Sequence, residues 1–413
     1  MENNGTGSAM PVKASERYMI LDILRGFALM GIAVANFPEF ALYTFLPGEA
    51  VAAMPTAKAD CVARWVQYML IDGKFYTIFS LLFGIGFSII ISNAMCRGAD
   101  GLKIFYRRMA ILAAIGLLHL MLLWSGDILL LYALMGMLLP LFRNATDRII
   151  LSWAVAMLLL PVAVDTAAQL AGIYLSAPVV EMQQHCCSLY GITDANFAYW
   201  LRDAADYHAV HQFLVQGALV RVQEFIDGNR YFKVLGLFLI GYCIGRHRLY
   251  ARLEEFRPLL RRLAVGCLAA GLPLSAIYAW SAVVGHPWGN ACHSVLYVLS
   301  VYPTGMAYVA LLCLTYLRVR GCIVFRMFAA PGRMALTCYI GQSVVGILIF
   351  YGIGLGLGAS MGLVQVIAVA VATFVVQALL CAVWLRWFRF GPLEWIWRML
   401  TYGKTFSLLK KEE

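Results

Sequence analysis

The chain has 413 residues, of which 62% are hydrophobic and only 13% are charged. Ordinary soluble domains are about 25% charged, and apolar runs recur here along the whole chain, so the composition excludes a soluble globular protein. The formal net charge of +10 does not indicate nucleic-acid binding, because the basic residues lie in short clusters between apolar runs, as the positive-inside rule produces. We predict an all-α, polytopic helical membrane protein whose partner is the lipid bilayer, with no nucleic acid.

The apolar runs predict ten transmembrane helices, at residues 19–37, 73–95, 109–124, 127–142, 149–171, 231–247, 262–284, 294–316, 334–354 and 363–385. The larger basic clusters fall on one side, which the positive-inside rule assigns to the cytoplasm together with both termini. We expect residues 1–18 to be a cytoplasmic N-terminal segment without a cleaved signal peptide. Residues 19–390 are expected to form one transmembrane domain, and residues 391–413 a cytoplasmic interfacial helix and tail.

Two long segments are expected on the opposite side of the membrane. Residues 38–72 form the first, and residues 171–230 form an extracytoplasmic loop region that is polar, aromatic and partly helical. Loops of this length are usually functional or carry structure of their own. Cys186 and Cys187 lie in the second segment, where a disulfide bond is an open alternative.

The stretch GLLHLMLLWSGDILLLYALMG, residues 116–136, predicts two membrane helices joined by a short turn. His119 lies roughly 7 Å below the outer end of the first helix, and Asp127 begins the second helix on the same side. A carboxylate beside an imidazole fixes the tautomer and stabilises the cation, as a general base requires. The alternative is that His119 bonds a neighbouring helix and that Asp127 is an N-cap. Both interpretations stay open.

Other ionisable residues inside apolar runs are functional candidates by default. In LDILRG, residues 21–26, Asp22 and Arg25 share a helix face. They are either an ion pair that anchors the first span or a cation that faces an anionic ligand. Lys74 begins the second span, and a side chain that extends to the membrane interface is the interpretation favoured by that residue alone.

A polar group also occurs in GRMALTCYIGQSVVG, residues 332–346. Thr337, Tyr339, Gln342 and Ser343 are more hydrogen-bonding side chains than a lipid-facing surface tolerates. They either hold helices together or line a polar cavity near the middle of the membrane.

Five motifs together resemble the YeiB-like family of bacterial inner-membrane proteins, whose C-terminal half is a domain of unknown function. They are LDILRGFALMGI, GKFYTIFSLLFGIGF, GLLHLMLLWSGDILLLYALMG, GRMALTCYIGQS and GPLEWIWRMLTYG, in an order that spans nearly the whole chain. Cys338 departs from the pattern, which has a polar Asn at that position. The family in turn resembles the transmembrane acyltransferases, such as heparan-alpha-glucosaminide N-acetyltransferase and bacterial O-acetyltransferases of surface sugars.

This second resemblance implies acyl transfer, most simply of acetyl, from cytoplasmic acyl-coenzyme A to an extracytoplasmic envelope glycan or lipid headgroup. His119 is then the expected base and Asp127 the residue that orients it. The depths of Arg25 and His119 differ by on the order of 14 Å, a gap that a pantetheine arm covers. The rival interpretation is a transporter or flippase of an anionic metabolite or lipid.

The donor would be held by the cationic and polar residues of the motifs. Arg25 and Arg333 are expected to contact its phosphates, and Gln342 and Ser343 to line the path of the thioester, with Lys74 counted among the donor-binding residues. No metal is expected. The acceptor's identity and the oligomeric state stay open, with a homodimer as one alternative.

Overall fold

The computed structural model describes residues 18–96 and 100–410. In that part of the chain seventeen α-helices form, and no β-strand is present. The helices are α1 Met19–Phe40, α2 Gly48–Ala52, α3 Ala57–Leu70, α4 Lys74–Met95, α5 Gly101–Leu122, α6 Leu129–Gly136, α7 Asp147–Ala171, α8 Ala177–Tyr190, α9 Trp200–Asp203, α10 Tyr207–Asp227, α11 Arg230–Arg246, α12 Arg257–Val283, α13 Gly289–Arg318, α14 Ile323–Arg333, α15 Ala335–Phe350, α16 Leu363–Trp387 and α17 Pro392–Tyr402.

The protein is a helical, multi-pass membrane protein. Within the described residues, seven helical segments are long and apolar enough to cross a bilayer, and α14 with α15 makes an eighth if this pair, bent by 85°, counts as one span. The outer face of α16 shows the expected lipid-facing chemistry, since Val376, Leu379 and Leu380 are all more than half exposed. Every predicted span coincides with one of these helices or with a shorter one.

The two remaining predicted spans are shorter than expected. Residues Leu129–Phe142 are interrupted between α6 and a 3₁₀ turn, and α11 has 17 residues. At 1.5 Å per residue these lengths give about 21 Å and 26 Å, below the roughly 30 Å of a hydrocarbon core. The segment 38–72 carries structure of its own, since most of its second half is helical and leads directly into α4.

The largest hydrophobic cluster lies among α1, α5, α6, α11, α15 and α16. One crossing in this bundle requires glycine on both helices. A Cβ on Gly26 of α1 would lie 1.8 Å from the carbonyl oxygen of Phe328 in α14, and a Cβ on Gly332 would lie 1.8 Å from the carbonyl oxygen of Asp22. The glycine of the LDILRG motif therefore permits close helix packing, as small residues do in membrane proteins.

The break between α14 and α15 is stabilised by a carboxylate from another helix. One oxygen of Glu394 accepts hydrogen bonds from the backbone N–H groups of Leu336 and Thr337, at 2.7 and 3.0 Å, and the other accepts from the Thr337 hydroxyl at 2.6 Å. Burial raises the pKa of Glu394, which these hydrogen bonds oppose. Glu394 thus caps α15, whose first N–H groups have no partner in their own helix.

We predict that Gly26→Ala destabilises the protein, because the added methyl group has no room beside Phe328. Overpacking of this kind costs about 1–3 kcal/mol or more, and the midpoint of thermal unfolding in detergent should fall. Gly266→Ala on α12 is the matched control, since nothing lies within 4 Å of a Cβ there. Equal midpoints for the two variants would contradict the tight crossing of α1 and α14.

Candidate functional site: a buried Ser–His–Asp chain beside a cavity

The hairpin of α5 and α6 brings His119 and Asp127 into direct contact. Nδ1 of His119 lies 2.8 Å from Oδ2 of Asp127, and both side chains are about 1% exposed. The other oxygen of Asp127 accepts the backbone N–H of Leu130 at 2.8 Å. Asp127 therefore orients the histidine and also accepts a backbone hydrogen bond at the start of α6. One carboxylate thus has both of the roles that the sequence suggested.

A third residue from a distant part of the chain completes the arrangement. Oγ of Ser343 on α15 lies 2.8 Å from Nε2 of His119. Because an ionised carboxylate only accepts hydrogen bonds, Nδ1 is assigned as the protonated nitrogen and Nε2 as the acceptor of the serine hydroxyl. A basic Nε2 bonded to a hydroxyl, with a carboxylate on the opposite nitrogen, is the arrangement that activates hydroxyl nucleophiles.

The turn of the hairpin is fixed by α10. Gly217 leaves room for Ser125, because a Cβ on Gly217 would lie 2.7 Å from the Ser125 Cβ. Arg221 donates to the Ser125 carbonyl oxygen at 2.8 Å and to Glu224 at 2.5 Å, and it lies 3.7 Å from Glu39 at the end of α1. Sequence reasoning missed this charged cluster, although Glu39 follows an apolar run and was a visible signal.

One cavity of about 1930 Å³ runs along this bundle. Its terminal end lies near the first and last described residues and contains Asp22 and Arg25. Its loop end contains Glu39 and Arg221. Arg25 and Glu39 are fourteen residues apart on α1, which corresponds to about 21 Å along the helix. The cavity therefore extends over most of the thickness of a bilayer core.

His119, Asp127 and Ser343 do not line this cavity. Gly126, Ile128 and Tyr339 form the wall in front of them. The Tyr339 ring lies 5.3 Å from the His119 ring, and its hydroxyl donates to the Gly126 carbonyl oxygen at 3.4 Å. The hydrogen-bonded chain is thus directly behind the cavity wall.

The terminal end is rich in cations. Arg25 and Arg333 both line it, as do four further basic side chains that sequence reasoning did not select. These further residues are Arg108, Arg389, Arg398 and Lys410. Arg25 pairs with Asp22 at 3.0 Å, as their shared helix face predicted. A cluster of this composition is suited to phosphate groups.

Three predicted donor-binding residues, Lys74, Gln342 and Ser343, do not line the cavity, contrary to expectation. Ser343 bonds His119 instead. Lys74 is fully buried, donates to the Tyr68 carbonyl oxygen at 2.8 Å and does not line the cavity, so it does not extend to the interface. Gln342 is turned toward α16, where its amide lies 3.3 Å from Gln377, and it also lies off the cavity. Lys74 and Gln342 each pair with a buried polar group of the protein, because the hydrocarbon of a bilayer contains no water that could form these hydrogen bonds.

The described residues contain neither a disulfide bond nor a cluster that could bind a metal ion. All eleven cysteines are free thiols, including Cys186 and Cys187. Among residues 18–96 and 100–410, no three His, Cys, Asp or Glu side chains are grouped closely enough to hold a metal ion.

The fold and the site define a polytopic helical membrane protein with a buried Ser–His–Asp chain beside a long cavity. The family described as a protein of unknown function, DUF418, matches residues 244–404. The uncharacterized protein YxaH of Bacillus subtilis (strain 168) is 30% identical over 98% of this chain and 99% of its own length. The uncharacterized protein YeiB of Escherichia coli (strain K12) is 25% identical over 94% of this chain and 96% of its own. No solved structure matches the chain. The chain belongs to the YeiB-like family.

We expect Asp127→Ala to destabilise the protein more than removal of an ordinary N-cap. The substitution leaves the Leu130 N–H and Nδ1 of buried His119 without a partner, which together cost about 2 kcal/mol or more. Asp206→Ala is the control, because Asp206 caps α10 through Ala209 but bonds no histidine. Thermal unfolding midpoints compare the two. A loss no greater than that of Asp206→Ala would mean that the His119–Asp127 bond contributes little.

Proposed function

We propose that this protein is a membrane-embedded acyltransferase, which moves an acyl group, most simply acetyl, from cytoplasmic acyl-coenzyme A to an extracytoplasmic glycan or lipid headgroup. The observation that carries the proposal is the Ser343–His119–Asp127 chain, with 2.8 Å at each histidine nitrogen. Any donor and acceptor would satisfy a buried structural histidine, whereas a carboxylate on one nitrogen and a hydroxyl on the other is the arrangement that a general base uses.

In the proposed reaction the arginines of the terminal end bind the phosphates of the donor. The cavity would accommodate its pantetheine arm, which directs the thioester toward the hairpin. Nε2 of His119 takes the proton from the acceptor's O–H or N–H group as the acceptor atom attacks the thioester carbonyl. The C–S bond then breaks, and the departing sulfur takes the proton from the imidazolium. Asp127 stabilises that imidazolium in a site of low dielectric.

The resting arrangement has to open for this chemistry. Ser343 occupies the position on Nε2 that an acceptor hydroxyl needs, and Tyr339 stands between His119 and the cavity. Rotation of the Tyr339 side chain would expose the histidine without movement of a helix.

We also propose the finer membrane arrangement of ten spans with both termini cytoplasmic, in the bacterial inner membrane. The basic clusters on the side of the termini support this orientation, and the seven long helices with the bent pair provide eight of the spans. The short α6 and α11 would complete the ten through local thinning of the bilayer or extension of flanking residues.

A second candidate function is transport of an anionic metabolite or lipid. The specific observation that favours it is the cavity, which reaches residues near both ends of the bundle. A transporter moves its substrate intact, whereas a transferase divides the donor at the thioester.

The test is a proteoliposome assay with acetyl-coenzyme A labelled separately in the acetyl group and in the nucleotide. We expect the acetyl label alone to reach an acceptor on the opposite side. His119→Ala should lower the transfer rate by about 10²–10⁴-fold with little change in coenzyme A affinity, because a general base contributes to rate. His247→Ala is the control, since the side chain of that exposed histidine bonds Asp147 and lies away from the proposed site.

Two outcomes would contradict the proposal. Movement of both labels together would indicate transport. Full transfer activity in His119→Ala would show that the histidine is only a packed core residue.

A further inference from the structure

A buried lysine at the loop end of the cavity is the strongest unassigned feature. Lys233 lies in the first turn of α11, is 8% exposed and lines the cavity. Among the described residues, its ammonium forms no hydrogen bond and no ion pair. The ammonium lies over the face of the Tyr297 ring, 3.8 Å from the ring centroid. A buried charge without a hydrogen-bonded partner is costly and marks a functional position.

The neighbouring carboxylates are not hydrogen-bonded to the Lys233 ammonium. Asp165 accepts hydrogen bonds from Asn229, at 2.7 Å, and from Ser294. Asp72 accepts the Tyr278 hydroxyl at 2.6 Å. Both acids thus accept hydrogen bonds from neutral donors.

A second polar group in the same place also has no partner. His293 lines the cavity, and its Nδ1 is buried without a hydrogen bond among the described residues. The ring stacks on Tyr278, with centroids 4.8 Å apart. Arg230, one turn before Lys233, also lines the cavity. We call the region around Lys233, His293, Tyr278 and Arg230 the lysine lobe.

We propose that the lysine lobe binds an anionic group, phosphate or carboxylate, of the molecule that receives the acyl group. An anion would accept hydrogen bonds from the Lys233 ammonium and from Arg230, and the tyrosine and histidine rings would cover the moiety attached to it. The assignment of that molecule as the acceptor rests on the proposed function, whereas the anion site does not.

The lobe is connected to the hairpin by a continuous network. Arg230 lies 3.4 Å from Glu224, which pairs with Arg221, and Arg221 bonds the Ser125 carbonyl oxygen beside Asp127. An acceptor anchored at Lys233 would therefore lie on the same side of the bundle as His119. Its acidic group would select phosphorylated or carboxylated glycans and lipids over neutral ones.

Binding is tested on the full chain in phosphatidylcholine nanodiscs, by calorimetric titration with inorganic phosphate, glycerol 1-phosphate and glycerol. Lys233→Met should lower the affinity for both phosphates about 10-fold or more, the value of one charge-assisted hydrogen bond. Lys233→Arg should retain binding, and glycerol should not bind. The matched control is Lys74→Met, a second buried lysine that is bonded to Tyr68 and lies off the cavity. The arginines of the terminal end contribute equally to all variants.

A stability measurement adds a second readout. Without anion, Lys233→Met should raise the thermal midpoint, because it removes an unpaired buried charge, whereas Lys74→Met should lower it. Nanodiscs that contain phosphatidylglycerol distinguish the sources of the anion. If this lipid alone raises the thermal midpoint of the unsubstituted protein, the anion is a lipid headgroup. If soluble glycerol 1-phosphate raises it, the anion is a free ligand.

The outcomes separate this inference from the proposed function. Equal phosphate affinity in Lys233→Met, or a variant that fails to fold, overturns the anion site even if acyl transfer depends on His119. Lys233-dependent binding without any acyl transfer supports the anion site and removes only its assignment as the acceptor site.

Discussion

The absence of water in the hydrocarbon of a bilayer is the constraint on which this structure depends, because every buried polar group must find its partner within the protein. Asp127 meets this constraint twice, with one oxygen for the start of α6 and one for His119. Glu394 does the same for the start of α15. Two carboxylates thus stabilise the two helix ends that bring Ser343 to the histidine.

The same constraint divides the polar side chains into two groups. Lys74 and Gln342 have partners and are turned away from the cavity. Lys233 and Nδ1 of His293 have none among the described residues, and both residues line the cavity. A ligand can complete an unpaired polar group only where that group also lines a cavity. This distinguishes Lys233 and His293 from Gln216, Ser300 and Tyr302, whose unpaired atoms in the described part of the chain lie off the cavity.

Local sequence predicted those parts of the site that depend on local geometry. The short turn after His119 was sufficient to place Asp127 beside it, and the spacing of Asp22 and Arg25 was sufficient for their ion pair. Ser343 could not be paired with a histidine 224 residues away, because helix periodicity gives the faces of a helix but not its neighbours. The length of α11 and the break before α15 also depend on tertiary packing and on the cap from α17. A hydropathy pattern does not contain this information, so it predicted ordinary spans at both places.

The proposed reaction requires that one cavity hold a nucleotide-bearing donor at its terminal end and direct the reactive group toward the hairpin. A structure by electron cryomicroscopy with coenzyme A bound in nanodiscs tests this most directly. We expect density for the nucleotide beside Arg108 and Arg389, with the thiol extending to the wall formed by Gly126 and Tyr339. A nucleotide in the lysine lobe, or none at the terminal end at saturating coenzyme A, would contradict it.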